Sequence, residues 1–179
     1  GKSYIKLGQY NKAYEFFKKA KKIQPNNPDT IFNLGLLDLR KNQFQDSIDK
    51  FKLAIEYNNN FYQAFYNLAI AQNSIGSFLE AQSNYLEAIR IKDDYYQAYN
   101  NLGSILIKTK KTNEAIKVLQ KAVEIKPQYT ASLTNLGVAY LDLKKYEDAL
   151  KYFDKALLVD SSYVRAITQK LYLMRKICN

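Results

Sequence analysis

Apolar and small residues recur along this chain at three- and four-residue spacing, in pairs of segments joined by short polar breaks. In residues 28–61 the first segment carries Ile31, Leu34 and Gly35, and the second Ile48, Phe51 and Ala54. That spacing marks one face of a helix, so the pattern predicts an all-α chain of helical hairpins. The breaks hold Gly8, Asn42 or Gly76, residues that tolerate the left-handed conformation in which helices end. Lys110 and Lys144 occupy the same place in later breaks, and those turns are expected to be slightly strained. Pro25 and Pro127 stand where a helix must stop.

The hairpins repeat with a fixed period. "FNLG" around Asn33, "YNLA" around Asn67, "NNLG" around Asn101 and "TNLG" around Asn135 follow one another at a single unvarying interval, without insertion. The second half of each unit repeats as well: "FQDSIDKFKLAIEY", "FLEAQSNYLEAIRI", "TNEAIKVLQKAVEI", "YEDALKYFDKALLV". The opening "YNKAYEFFKKAKKIQP" supplies the same half-unit in phase.

A helix–turn–helix unit of this period resembles the tetratricopeptide repeat. The resemblance covers nearly the whole chain. It implies a single domain over 1–179: a partial repeat at 1–27, full repeats at 28–61, 62–95, 96–129 and 130–163, and a capping helix at 164–179. The family's small-residue positions fall on Gly35, Ala69, Gly103 and Gly137 in the first helices. In the second helices they include Ala13, Ser47, Ala81, Ala115 and Ala149. Phe17, Phe51, Tyr85, Leu119 and Phe153 are the large partners expected between neighbouring helices. Because no hairpin buries its apolar face alone, neighbours must stack, and the resemblance implies a right-handed α–α superhelix. Ile167, Leu171 and Met174 are expected to cover its last open face, with Arg165, Thr168 and Arg175 outside.

The same resemblance places the first helices on a concave inner wall. From the first two full repeats this wall collects Phe32, Asn33, Gln63, Tyr66, Asn67 and Ile70; from the next two and the capping helix it collects Gln97, Asn100, Asn101, Lys108, Asn135 and Arg165. The wall is mostly uncharged. Asn33, Asn67, Asn101 and Asn135 would form a column, one per repeat, similar to the asparagine ladder of O-linked N-acetylglucosamine transferase superhelices. An amide offers both donor and acceptor to a peptide backbone. Each such bond contributes about 0.5–1.5 kcal/mol net, giving modest affinity with little sequence selectivity. The same asparagines can instead hydrogen-bond between helices with no ligand present. The carboxylate clamp that holds chaperone C-terminal tails is not matched. Phe32 and Leu36 stand where its first lysine and asparagine belong, and the last three first helices offer Asn100, Ser104, Asn135, Arg165 and Gln169 with a single basic residue.

Composition narrows the chemistry. The 179 residues contain no histidine, the commonest general base and transition-metal ligand, and a single cysteine, Cys178, which has no internal disulfide partner and no nearby base. A non-enzymatic chain without cofactor or metal is therefore expected, in a reducing, cytoplasmic setting. No apolar run reaches the length of about 18 residues that a membrane span needs, and "GKSYIKLGQY" lacks the apolar core of a signal peptide. The net charge of +10 is spread mainly over second helices and turns, where lysines mix with acidic residues. Only "KKAKK" at 18–22 is dense, short of the continuous basic track that nucleic acid requires. Neither a nucleic-acid nor a membrane partner is expected. The function expected is an interaction scaffold holding a peptide or helix of another protein in the groove. The alternatives are the recognition arm of a larger glycosyltransferase-like enzyme and a structural subunit of an assembly.

Overall fold

The structure, a computed structural model, describes residues 1–178, apart from the side chains of Lys2, Lys6 and Cys178. The sequence reading of the Cys178 thiol thus lies outside the described residues. Among these residues there are eleven helices and no strand: α1 (Lys2–Lys6), α2 (Tyr10–Ile23), α3 (Pro28–Arg40), α4 (Phe44–Tyr57), α5 (Tyr62–Ser74), α6 (Phe78–Ile91), α7 (Tyr96–Lys108), α8 (Thr112–Ile125), α9 (Thr130–Asp142), α10 (Tyr146–Val159) and α11 (Val164–Cys178). The first helices α3, α5, α7 and α9 have 13 residues each, and the second helices α4, α6, α8 and α10 have 14. The chain divides into two compact units, residues 1–93 and 94–179.

The turns inside the hairpins close as their residues dictate. Gly8 and Gly76 take φ of 71° and 84°, while Asn42, Lys110 and Lys144 take φ of 60°, 64° and 59° at the same slot. A side chain in this region pushes Cβ against the carbonyl, at a cost of about 1–2 kcal/mol. Lys144→Gly is therefore expected to stabilise the chain by about 0.5–1 kcal/mol, after glycine's extra unfolded-state freedom is subtracted. Thermal unfolding checks this against Lys145→Gly, whose native φ is −85° and which gains nothing.

The core runs both within the hairpins and between them. In the first unit, Ala13 and Phe17 of α2 pack on Leu34 and Leu37 of α3. Ile48 and Phe51 of α4 pack on Leu68 and Ala71 of α5. In the second unit, Ala149 and Phe153 of α10 share a cluster with Leu141 of α9 and Leu173 of α11. The large slots Phe51, Leu119 and Phe153 are fully buried, each filling the space left by a glycine of the first helix. A Cβ added at Gly35 would lie 2.8 Å from the Phe51 ring, and at Gly103 and Gly137 it would meet Leu119 and Phe153 more closely still.

One cross-helix position differs in chemistry from hairpin to hairpin. In α3 and α4 it is an ion pair, Asp38 to Lys50 Nζ at 2.7 Å. In α5 and α6 the same slots hold Gln72 and Asn84, whose Nδ2 donates to Gln72 Oε1 at 2.8 Å. In α7 and α8 they hold Leu106 and Val118, and in α9 and α10 Tyr140 and Tyr152 stack at 5.4 Å and 7°.

Helix α11 corrects one expectation. It covers α9 and α10 with Ala166 and Leu173, both fully buried. Leu171 and Met174, expected to do so, remain about half exposed. The reason is rotational: Ala166 and Leu173 lie one repeat period after Ser132 and Ala139, the buried first-helix residues that face the preceding repeat. Thus α11 packs as another first helix would.

Candidate functional site

Within each unit the first helices pack on one another as well as on their hairpin partners, α3 on α5 in the first unit and α7 on α9 and α9 on α11 in the second. It is on these first helices that the sequence reading expects a binding face.

In the first unit that face is built by α3 and α5. Asn33 is buried, at 4% exposure, and its Nδ2 donates to the Asp29 carbonyl at 2.6 Å. Asn67 is half-buried and donates to the Gln63 carbonyl at 2.7 Å. Both amides spend a donor on the preceding turn of their own helix, a local bond open to asparagine side chains. Phe32 is a wedge: its ring lies 4.8 Å from Phe61 and 5.6 Å from Phe51, so it belongs largely to the core. Tyr66 leans on Tyr85 at 5.7 Å and is half-buried, as are Gln63 and Ile70. Arg40, at the end of α3, is held over Tyr10, with its guanidinium 4.8 Å from the ring and Nη1 donating to the phenol oxygen at 2.8 Å.

In the second unit the amides join into a network. Asn100 Oδ1 accepts from Ser132 Oγ at 3.2 Å and from Asn135 Nδ2 at 2.9 Å, while Asn100 Nδ2 donates to Asn101 Oδ1 at 3.0 Å. Asn100 is buried and Asn135 is 1% exposed, with its own Oδ1 buried and lacking a donor. Asn101 and Gln97 are half-buried, and Lys108 and Arg165 are exposed. Of the four column asparagines, then, Asn33 and Asn135 are withdrawn from solvent and Asn67 and Asn101 stand at the surface. Asn33 bonds within its own helix, and Asn100 and Asn135 bond each other between α7 and α9. Ser132 is the network member that the sequence reading passes over. Its signal is a hydroxyl in a slot that holds alanine in the two preceding repeats, Ala64 and Ala98.

In the second unit, tyrosines stand at the boundaries between repeats. Tyr96 and Tyr129 meet edge to face at 4.9 Å, and burial, followed by the neighbouring Tyr96 and Tyr163, raises the Tyr129 phenol above its ordinary range. It stays a neutral packing residue. Among the described residues no group of three or more His, Cys, Asp or Glu side chains is placed to hold a metal, and no helix is long and apolar enough to cross a membrane.

Comparison with known proteins agrees with this architecture. Profiles described as "Tetratricopeptide repeat" match residues 96–129 and 131–163, and one described as "TPR repeat" matches residues 1–41. Among curated protein sequences none matches. Among solved structures, MamA superposes with a TM-score of 0.81 at 26% identity, over 91% of this chain and 95% of that one. YrrB, described as "a TPR protein with an unusual peptide-binding site", superposes with a TM-score of 0.79 at 20% identity, over 94% and 87% of the two chains. The PilF protein of Pseudomonas aeruginosa gives 0.87 at 16% identity, over 98% and 80%. The repeat period, the all-α hairpins and profile matches that together span more than half of the residues lead to one conclusion: the chain belongs to the tetratricopeptide repeat family, a fold that serves as a scaffold for protein interaction.

Proposed function

We propose that the chain is a non-catalytic scaffold that holds an extended or helical segment of a partner protein against its first-helix faces. The observation that carries this reading is the make-up of those faces. Gln63, Tyr66, Asn67 and Ile70 of α5 are half-buried and uncharged, in contrast to the mixed lysines and carboxylates of the second helices. Such a face offers apolar edges for anchoring and amides for backbone bonds. It lacks the basic pair that a terminal carboxylate requires. In the second unit Gln97 and Asn101 continue the amide chemistry, and Lys108 and Arg165 add positive charge at the rim. The buried asparagines Asn33, Asn100 and Asn135 set the shape of the face from beneath. The likeness to YrrB, a TPR protein with an unusual peptide-binding site, supports the same use of the fold.

The test takes a partner captured from lysate on the immobilised chain and titrates it against Tyr66→Ala/Ile70→Ala. Loss of two apolar anchors weakens a groove ligand by about tenfold or more, at unchanged helical circular dichroism. Equal affinity of the folded double variant overturns the assignment.

A further inference from the structure

On α3 and α5 the first-helix face ends in one cation. Arg40 closes α3 one turn beyond Leu36 and two turns beyond Asn33, on the side of the helix that carries both. The same slot holds Ser74 in α5, Lys108 in α7 and Asp142 in α9. In the second unit the slot thus carries charges of both signs. There Asp142 Oδ2 accepts from Thr112 Oγ1 at 3.1 Å and lies 3.6 Å from Lys110 Nζ. In the first unit Arg40 has a serine as its counterpart, and Ser74 Oγ donates to the Ile70 carbonyl at 3.0 Å. Arg40 is exposed, yet its side chain is fixed by Tyr10, through the ring contact at 4.8 Å and the Nη1 bond at 2.8 Å. The phenol takes one of the five guanidinium N–H groups and cancels none of the charge. Among the described residues no carboxylate pairs with Arg40. Asp38 is paired with Lys50, and the next cation, Lys41, lies over the Tyr14 ring at 4.6 Å.

We propose that Arg40 selects an acidic side chain in the partner segment, a Glu or Asp whose carboxylate receives the remaining N–H groups while apolar neighbours lie against Leu36, Tyr66 and Ile70. The proposal rests on the first-helix faces being the docking surface. A carboxylate matches the planar guanidinium two oxygens to two N–H groups. Ordering a free arginine costs side-chain entropy on binding, and the Tyr10 contact meets most of that cost in the folded chain. Asp29 stands at the opposite end of α3, which repels an acidic residue there and favours the Arg40 end. One guanidinium balances the single charge of a carboxylate. A phosphate group carries nearly twice that charge and calls for a second cation, whereas Gln63, Asn67 and Ser74 on the facing helix are neutral. Helices packed about 8–10 Å apart put Ile70 about three residues of extended chain from Arg40. The acid is therefore expected about three residues from the apolar anchor.

The test selects random peptides of about ten residues, long enough in extended form to cross two first helices, on the immobilised whole chain. The peptides are displayed between fixed flanking sequences, and those selected are remade with capped ends for fluorescence anisotropy. The expected peptides pair apolar residues with Glu or Asp at a fixed spacing. Replacing that acid by glutamine weakens binding to the wild-type chain about three- to fivefold and leaves binding to Arg40→Gln unchanged. Arg40→Glu selects Lys or Arg at the same peptide position, which an arginine that only caps α3 or pins it to α2 does not predict. Tyr66→Ala/Ile70→Ala loses the peptides altogether. Circular dichroism verifies the fold of each variant. Tyr10→Phe, which keeps the ring and frees the guanidinium, is the second variant and weakens the acidic peptide alone. Peptides without an acidic preference, or with one that Arg40→Glu leaves unaltered, overturn the role of Arg40 and leave the docking face standing. No selected peptide, or full binding to Tyr66→Ala/Ile70→Ala, overturns the face and the proposal with it. A phosphoserine bound about tenfold tighter than the glutamate it replaces overturns the choice of a carboxylate.

Discussion

Phe153→Ala is expected to remove about 3–5 kcal/mol from the second unit. The ring is fully buried among Leu141, Ala149 and Leu173 and stands against Gly137, where no side chain exists to collapse into the space. A truncation at a site that cannot relax loses the transfer free energy and leaves a cavity as well. Because a stacked repeat draws its stability from its neighbours, the damage spreads unevenly. Amide hydrogen exchange is expected to speed up first in α9, α10 and α11. Leu158→Ala, further along the same helix but 87% exposed, is the contrast and leaves urea unfolding essentially unchanged. Comparable losses from the two variants would mean that the interlocking of glycine and aromatic ring does not hold this unit together.

Asn100→Ala is expected to cost about 2–4 kcal/mol, because it strips the acceptor from two buried donors at once, Ser132 Oγ and Asn135 Nδ2. Each orphaned buried group carries a penalty of about 1–3 kcal/mol. Asn67→Ala loses a bond to its own helix at a half-buried position and is expected to cost under about 1 kcal/mol. Chemical denaturation of the two variants separates them. A further control replaces the whole cluster, as Asn100→Leu/Ser132→Ala/Asn135→Leu. With the buried polar groups of the cluster removed together and Asn101 half-exposed to water, most of the lost stability returns. If Asn100→Ala unfolds with the wild type, the network contributes nothing to the core and Asn100 is available to a ligand after all.

The repeat was legible because its signal is global. A constant period without insertion sets the spacing of the hairpins, and the structure starts its first helices at Pro28, Tyr62, Tyr96 and Thr130. Even the strained turns were legible, since Lys110 and Lys144 stand in the slot of Gly8 and Gly76 and share their positive φ. The make-up of the candidate face was legible only in part. Periodicity says that Asn33 and Asn135 share a side of their helices, but their fate depends on neighbours. Asn33 bonds the carbonyl one turn back, a choice no pattern announces. Asn135 bonds Asn100, far back along the chain, because aromatic Phe32 and Tyr66 give way to an amide at that slot. The orientation of α11 was hidden for a similar reason. Its leucine and methionine are the bulkier candidates for covering the last face, whereas the small Ala166 allows the closer approach and is the one buried.

The changing pair between each first and second helix has a consequence for how such a chain grows and varies. Units of equal length and shared outline invite exchange, whether by gene duplication or by one helix taking another's place during folding. Placing the α6 sequence against α3 would set Asn84 in place of Lys50 and leave the Asp38 carboxylate without its cation. Placing the α10 sequence there would press the Tyr152 ring on that same charge. Each hairpin thus carries a private lock, and modules cut from this chain should travel as complete pairs.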